Sequence, residues 1–125
     1  MIDPKRVELT LYNGIPHLLT PVITDAKKAI MALRWAAKEM DRRYDLLEKS
    51  SVRDIDSYHK NVMMPALEKK KKEIKVTGLE TDDHVPDIKE EIIDPMPYIV
   101  VMIDELADIM QAYPRELEAG IVRLA

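Results

Sequence analysis

Asp104 and Glu105 stand side by side directly after Ile99-Val100-Val101-Met102-Ile103, five apolar residues with no polar interruption. An apolar run without alternation is the pattern of a strand buried on both faces. Such a strand carries whatever follows it to the carboxyl edge of a sheet, where α/β folds bind ligands. Two neighbouring acids delivered there have a definite chemistry, that of a Walker B strand. Asp104 would hold the Mg²⁺ of a bound nucleotide through water, because that ion keeps much of its hydration shell. Glu105 would act as the catalytic base that orients or deprotonates the water attacking the γ-phosphate. Packing offers a second account, since acids are also favoured in the first turn of a helix by its dipole. Asp108, one turn further on, fits that second account.

The elements that must position this pair are legible in part. Met1-Ile2-Asp3-Pro4-Lys5 reads as the last residues of a strand followed by a turn. Val7, Leu9 and Leu11 alternate with Glu8 and Thr10, which fits a short strand or one helical turn. Asn13-Gly14 marks a turn, and Leu18 to Thr24 is an irregular or edge strand restricted by Pro21. The clearest helix follows a Thr24 or Asp25 cap. Ala26, Ile30, Leu33, Ala37, Met40, Tyr44 and Leu47 recur at spacings of three and four and form one stripe. That helix is expected to end near Lys49-Ser50-Ser51 and to pack on the sheet containing Ile99 to Ile103. Asp54 to Lys72 reads as helical, with a break or start at Pro65. Glu80 to Asp94 is acidic and reads as a mobile insert or a surface loop. Leu106 to Ala112 and, after Pro114, Arg115 to Ala125 read as helices.

Composition sets the limits. The chain has 125 residues, one small domain's worth, and 46% of them are apolar, enough for a core. A net charge of -4 argues against a surface that grips nucleic acid throughout, because phosphate binding needs a basic face. Lys69 to Lys72 is the exception in charge, but Glu68 and Glu73 flank it and no aromatic residue interleaves, as in a solvated helix end. With no cysteine there are no disulfides or thiolate metal sites, and His17, His59 and His84 lack metal-ligand spacing. No apolar run approaches the roughly 20 residues that span a bilayer.

Beyond these patterns, blocks of the chain resemble the FtsK/SpoIIIE motor family. They are Met1-Ile2-Asp3-Pro4-Lys5 with Val7-Glu8-Leu9 and Tyr12, Gly14-Ile15-Pro16-His17-Leu18-Leu19, Pro21 to Asp25, Ala32-Leu33-Arg34-Trp35 and Glu39 to Tyr44. Val52 to Tyr58, Pro97 to Met110 and Arg115 to Ala125 continue the series in the family's order. Residues 60 to 95 match poorly and correspond to a variable insert. The resemblance implies an α/β architecture: a partial RecA-like P-loop NTPase fold, an incomplete and mainly parallel sheet with flanking helices. It implies ATP and Mg²⁺ as ligands, with Asp104 on the metal and Glu105 as base. It implies double-stranded DNA and other motor subunits, arranged in a hexameric ring, as partners in chromosome segregation. In the family the motor lies in the cytoplasm, and membrane helices lie far upstream.

One family feature is not in these residues. A phosphate-binding loop, G-x-x-x-x-G-K-[ST], supplies the amides and lysine that cradle phosphates. The sequence has three glycines, Gly14, Gly78 and Gly120, and no Gly-Lys-Ser/Thr. The expectation is an excised or truncated piece of a motor that hydrolyses no ATP alone and self-associates through open sheet edges. A non-catalytic module derived from the motor, or part of a secretion-type ring ATPase, are the alternatives.

Overall fold

The computed structural model describes residues 1–77 and 93–125, and backbone only within 73–77. Five α-helices are described: α1 (Ala26–Lys49), α2 (Ile55–Tyr58), α3 (Met64–Thr77), α4 (Leu106–Ala112) and α5 (Pro114–Leu124). A π-turn, His59–Met63, joins α2 to α3, and a 3₁₀ turn covers Thr10–Tyr12. The chain divides into two units, residues 1–42 with 98–125, and residues 43–97.

The first unit is built around Ile2. Ile2 forms parallel bridges to Ile23 on one side and Ile103 on the other. Ile2 N–H donates to Met102 O at 2.9 Å, and Asp104 N–H donates to Ile2 O at 2.9 Å. On the opposite edge Asp3 N–H reaches Ile23 O at 2.8 Å, and Ile23 N–H reaches Met1 O at 3.0 Å. Three extended segments thus run in one direction in the order Ile23, Ile2, Ile103. Helices α1, α4 and α5 close over this array. Ala29, Ile30 and Leu33 of α1, Ile109 of α4 and Leu117 of α5 are buried with Ile2 in one cluster.

Each helix has a local cause. Asp25 caps α1, its Oδ1 accepting from Lys28 N–H at 2.8 Å. Ser50 and Ser51 end it, Ser51 adopting a positive φ of 55°. Pro114 takes the first position of α5, where its missing N–H is not needed. Gly120 lets α5 approach α1. A Cβ added there would lie 3.3 Å from Leu33 Cβ and 3.4 Å from Leu33 Cδ1. Alanine at this position gains about 1 kcal/mol of helix propensity against a small push. Gly120→Ala is therefore expected to stay within about 1 kcal/mol of the parent, whereas the two further methyls of Gly120→Val cost about 1–3 kcal/mol. Urea unfolding of the two variants measures the difference.

In the second unit Asp54 caps α2, accepting from Ser57 N–H at 2.7 Å. Those contacts with Ser57 hold the Asp54 carboxyl below its ordinary value. Tyr58 is buried, its hydroxyl donating to Asp94 O at 3.0 Å. The π-turn lies immediately before Met64-Pro65, where proline removes a backbone donor from the ladder.

Two expectations are corrected. Ile99 to Ile103 is not a strand buried on both faces: Tyr98 is 68% exposed, Val100 is 71% exposed, and only Ile103 forms a bridge. Burial on both faces needs neighbouring strands and two covering layers, and the described residues provide a single bridging partner, Ile2. For the same reason they are mostly helical and contain no extended sheet, only bridges around one residue. Of the apolar stripe of α1, Ile30 and Leu33 are buried, as is Ala29 next to the stripe, yet Tyr44 is 60% exposed. Val7 to Leu11 forms no strand and leads into the 3₁₀ turn. The acidic stretch from Glu80 lies outside the described residues up to 92. No described helix is long and apolar enough to cross a membrane.

Candidate active site

Asp104 follows directly on the Ile103 bridge, and its own N–H closes the last hydrogen bond of that edge. It therefore sits at the carboxyl end of three parallel segments, and it is half-buried. Glu105 lies just outside α4, at its N-cap, with φ 49° and ψ 68°. That left-handed conformation is rare for a residue with a long side chain and is the kind of strain found at functional sites. The turn sends Glu105 to the surface, where Lys5 Nζ meets its Oε2 at 3.2 Å. The bond to Glu105 is the main cause that raises the Lys5 ammonium above its usual range, with the Glu105, Asp108 and Asp104 charges adding to it. Lys5 is thus a fixed positive charge at neutral pH, 100 residues away in sequence from its partner.

The N-terminal segment completes the site. Asp3 is fully buried. Its carboxylate accepts Arg6 N–H at 2.7 Å and Leu9 N–H at 3.0 Å, one through each oxygen. Burial pushes the Asp3 carboxyl up, but the backbone donors of Leu9, Arg6, Val7 and Thr10 together outweigh it and hold it below the usual range. Those bonds fold the chain back so that Glu8 arrives beside Asp104. A hydrogen bond shared with Asp104 is the chief cause raising the Glu8 carboxyl, followed by partial desolvation and the charges of Asp104 and Asp3. The folded state accordingly favours a proton there. That contribution to stability is present below the ordinary glutamate value and is lost as pH rises through the raised one.

Asp3, Glu8 and Asp104 each offer a carboxylate oxygen, and the three atoms lie within 4.8 Å of one another. An all-oxygen, anionic donor set suits a hard cation such as Mg²⁺ and not a soft metal. A cation there would offset the crowding of negative charge that raises the Glu8 carboxyl beside Asp104.

The structure therefore brings Asp104 and Glu105 together with Asp3, Lys5 and Glu8. Asp108 contributes only its charge to Lys5. The sequence assigns Lys5 and Glu8 no role: Lys5 fits a plain solvated turn as well as a family block, and Glu8 fits the polar position of an alternating segment. Their place in the family-like stretches Met1 to Lys5 and Val7 to Leu9 is the available signal.

The family model for the FtsK/SpoIIIE family matches residues 1–125. The chain belongs to the FtsK/SpoIIIE family. Among its relatives, the DNA translocase FtsK of Mesorhizobium japonicum is 45% identical over 130 residues, covering 100% of this chain and 14% of that protein. The DNA translocase FtsK of Brucella melitensis is 46% identical over 131 residues, covering 100% of the chain and 16% of the relative. That of Streptomyces coelicolor is 44% identical over 124 residues, covering 99% and 12%. The chain thus spans less than a fifth of the length of these FtsK/SpoIIIE relatives. The family match spans the acidic pair and the Met1 to Lys5 block alike.

Proposed function

We propose that this chain is part of the ATP-driven motor of a double-stranded DNA translocase, with Asp104 and Glu105 in its hydrolysis site. The observation that carries the reading is the acidic pair at the carboxyl end of three parallel segments, with Lys5 against the second acid. The relatives' name supplies the substrate, and the parallel order of Ile23, Ile2 and Ile103 is compatible with a RecA-like sheet. Asp104, with Glu8 beside it, would hold the Mg²⁺ that accompanies ATP, and the bound ion would neutralise charge on the phosphates. Glu105 would direct a water toward the γ-phosphate, its carboxylate kept in place by Lys5 and by the left-handed turn. The phosphate-binding loop that the sequence lacks would come from elsewhere in the motor. The exposed apolar residues Tyr98, Val100, Val101 and Met102 support association of this face with further motor subunits or copies. A hexameric ring on DNA in the cytoplasm, active in chromosome segregation, is the assembly that fits.

The test uses the longer protein. Replacing Asp104 with Asn is expected to lower Mg²⁺-dependent, DNA-stimulated ATP hydrolysis at least about 100-fold. Hydrolysis within threefold of the parent would overturn the reading. The 125-residue chain alone is expected to show no turnover.

A further inference from the structure

Away from the acidic pair, helices α1 and α5 enclose a groove of about 340 Å³. Leu33, Ala37, Ala119 and Gly120 line it with apolar surface, and Arg34, Arg115 and Arg123 line it with charge, against a single acid, Glu116. The three arginines are held differently. Arg123 pairs with Asp41 through Nη2 and Oδ1 at 2.5 Å, an exposed contact on the rim of the groove. Arg34 and Arg115 make no ion pair or hydrogen bond among the described residues. In a chain of net charge -4, two unpaired guanidiniums thus share one concave site with a third.

We propose that this groove is a binding site for a compact oligophosphate group, with Arg34 and Arg115 as its ligands and Arg123 as a third charge. The reasoning is chemical. A guanidinium presents planar, paired N–H donors that match phosphate oxygens two at a time. The apolar lining between the arginines offers no competing acceptor, so the guanidinium donors are left for a ligand. The size also decides between ligands. An extended polyanion would run past Glu116 and, along α1, past Asp41, whereas a compact anion meets the arginines and little else. The site is separate from the Asp104 and Glu105 pair and does not depend on their role.

The probe is inorganic pyrophosphate in magnesium-free buffer, titrated into the 125-residue chain and followed by NMR of the arginine side chains. Saturable shifts confined to Arg34, Arg115 and Arg123 are expected, with a dissociation constant on the order of 1 mM. Arg34→Gln with Arg115→Gln should weaken binding at least about tenfold, and far-UV circular dichroism should show unchanged helix content. Lys38→Gln, on α1 but outside the groove, should leave affinity within about twofold, as expected for an exposed charge with no contact to the ligand. Absence of saturation, or an affinity unmoved in the double variant, would overturn the site. A short DNA duplex that displaces pyrophosphate and shifts the same arginines more tightly would overturn the compact-anion assignment.

Discussion

Replacing Glu105 by glutamine in the longer protein is expected to abolish ATP hydrolysis while leaving nucleotide binding nearly intact. The substitution preserves size, and its carbonyl oxygen can still accept from Lys5, so the turn at φ 49° loses no contact it relies on. What disappears is the negative charge that attracts a proton from the attacking water. General-base contributions of this kind amount to about 10²–10⁴ in rate. A drop of at least 100-fold in kcat is therefore expected, with the apparent affinity for ATP changed by less than about threefold. Steady-state hydrolysis beside equilibrium binding of a fluorescent nucleotide separates the two quantities. Retention of more than a tenth of the parent rate would remove Glu105 from the role of base. Loss of binding in step with rate would instead make it a binding residue.

The parts of this site that sequence made legible are those written in local pattern. Asp25 before a periodic apolar stripe located α1 to within two residues. Pro114 located the start of α5, and an apolar run ending in Asp104-Glu105 marked the acidic pair. The parts that stayed hidden depend on contacts between distant segments. Lys5 is uninformative until Glu105, 100 residues later, is brought within 3.2 Å. The alternation of Val7, Leu9 and Leu11 fits a strand, but a carboxylate competes with the ladder for the backbone donors. Asp3 takes the N–H groups of Arg6 and Leu9, so the segment bends and does not pair. Periodicity reports which face could be buried and says nothing of whether a covering layer is at hand. Tyr98, Val100, Val101, Met102 and Tyr44 show the difference.

Asp3 is where fold and site are joined, and its removal is expected to cost the first unit much of its stability. The side chain is fully buried, it precedes Pro4, and it serves as an acceptor for donors on the returning loop. Asp3→Ala leaves the Arg6 and Leu9 N–H groups without that acceptor and removes the link that brings Glu8 to Asp104. Losing a charged acceptor with several donors is among the costlier hydrogen-bond changes. A fall in thermal midpoint on the order of 10 °C is expected for a unit of this size. Asn in the same place should fare little better, because its amide N–H₂ would face backbone donors. The pH dependence gives an independent check. The folded-state value of Asp3 lies below its ordinary 3.8, so its contribution is fully present above that value. It is lost as pH falls through the lowered folded-state value. The parent's midpoint should thus fall more steeply than that of Asp3→Asn between pH 5 and pH values below 3.8. Parallel profiles, or an alanine variant within 2 °C of the parent, would show that the backbone donors find other partners and that Asp3 does not hold the loop.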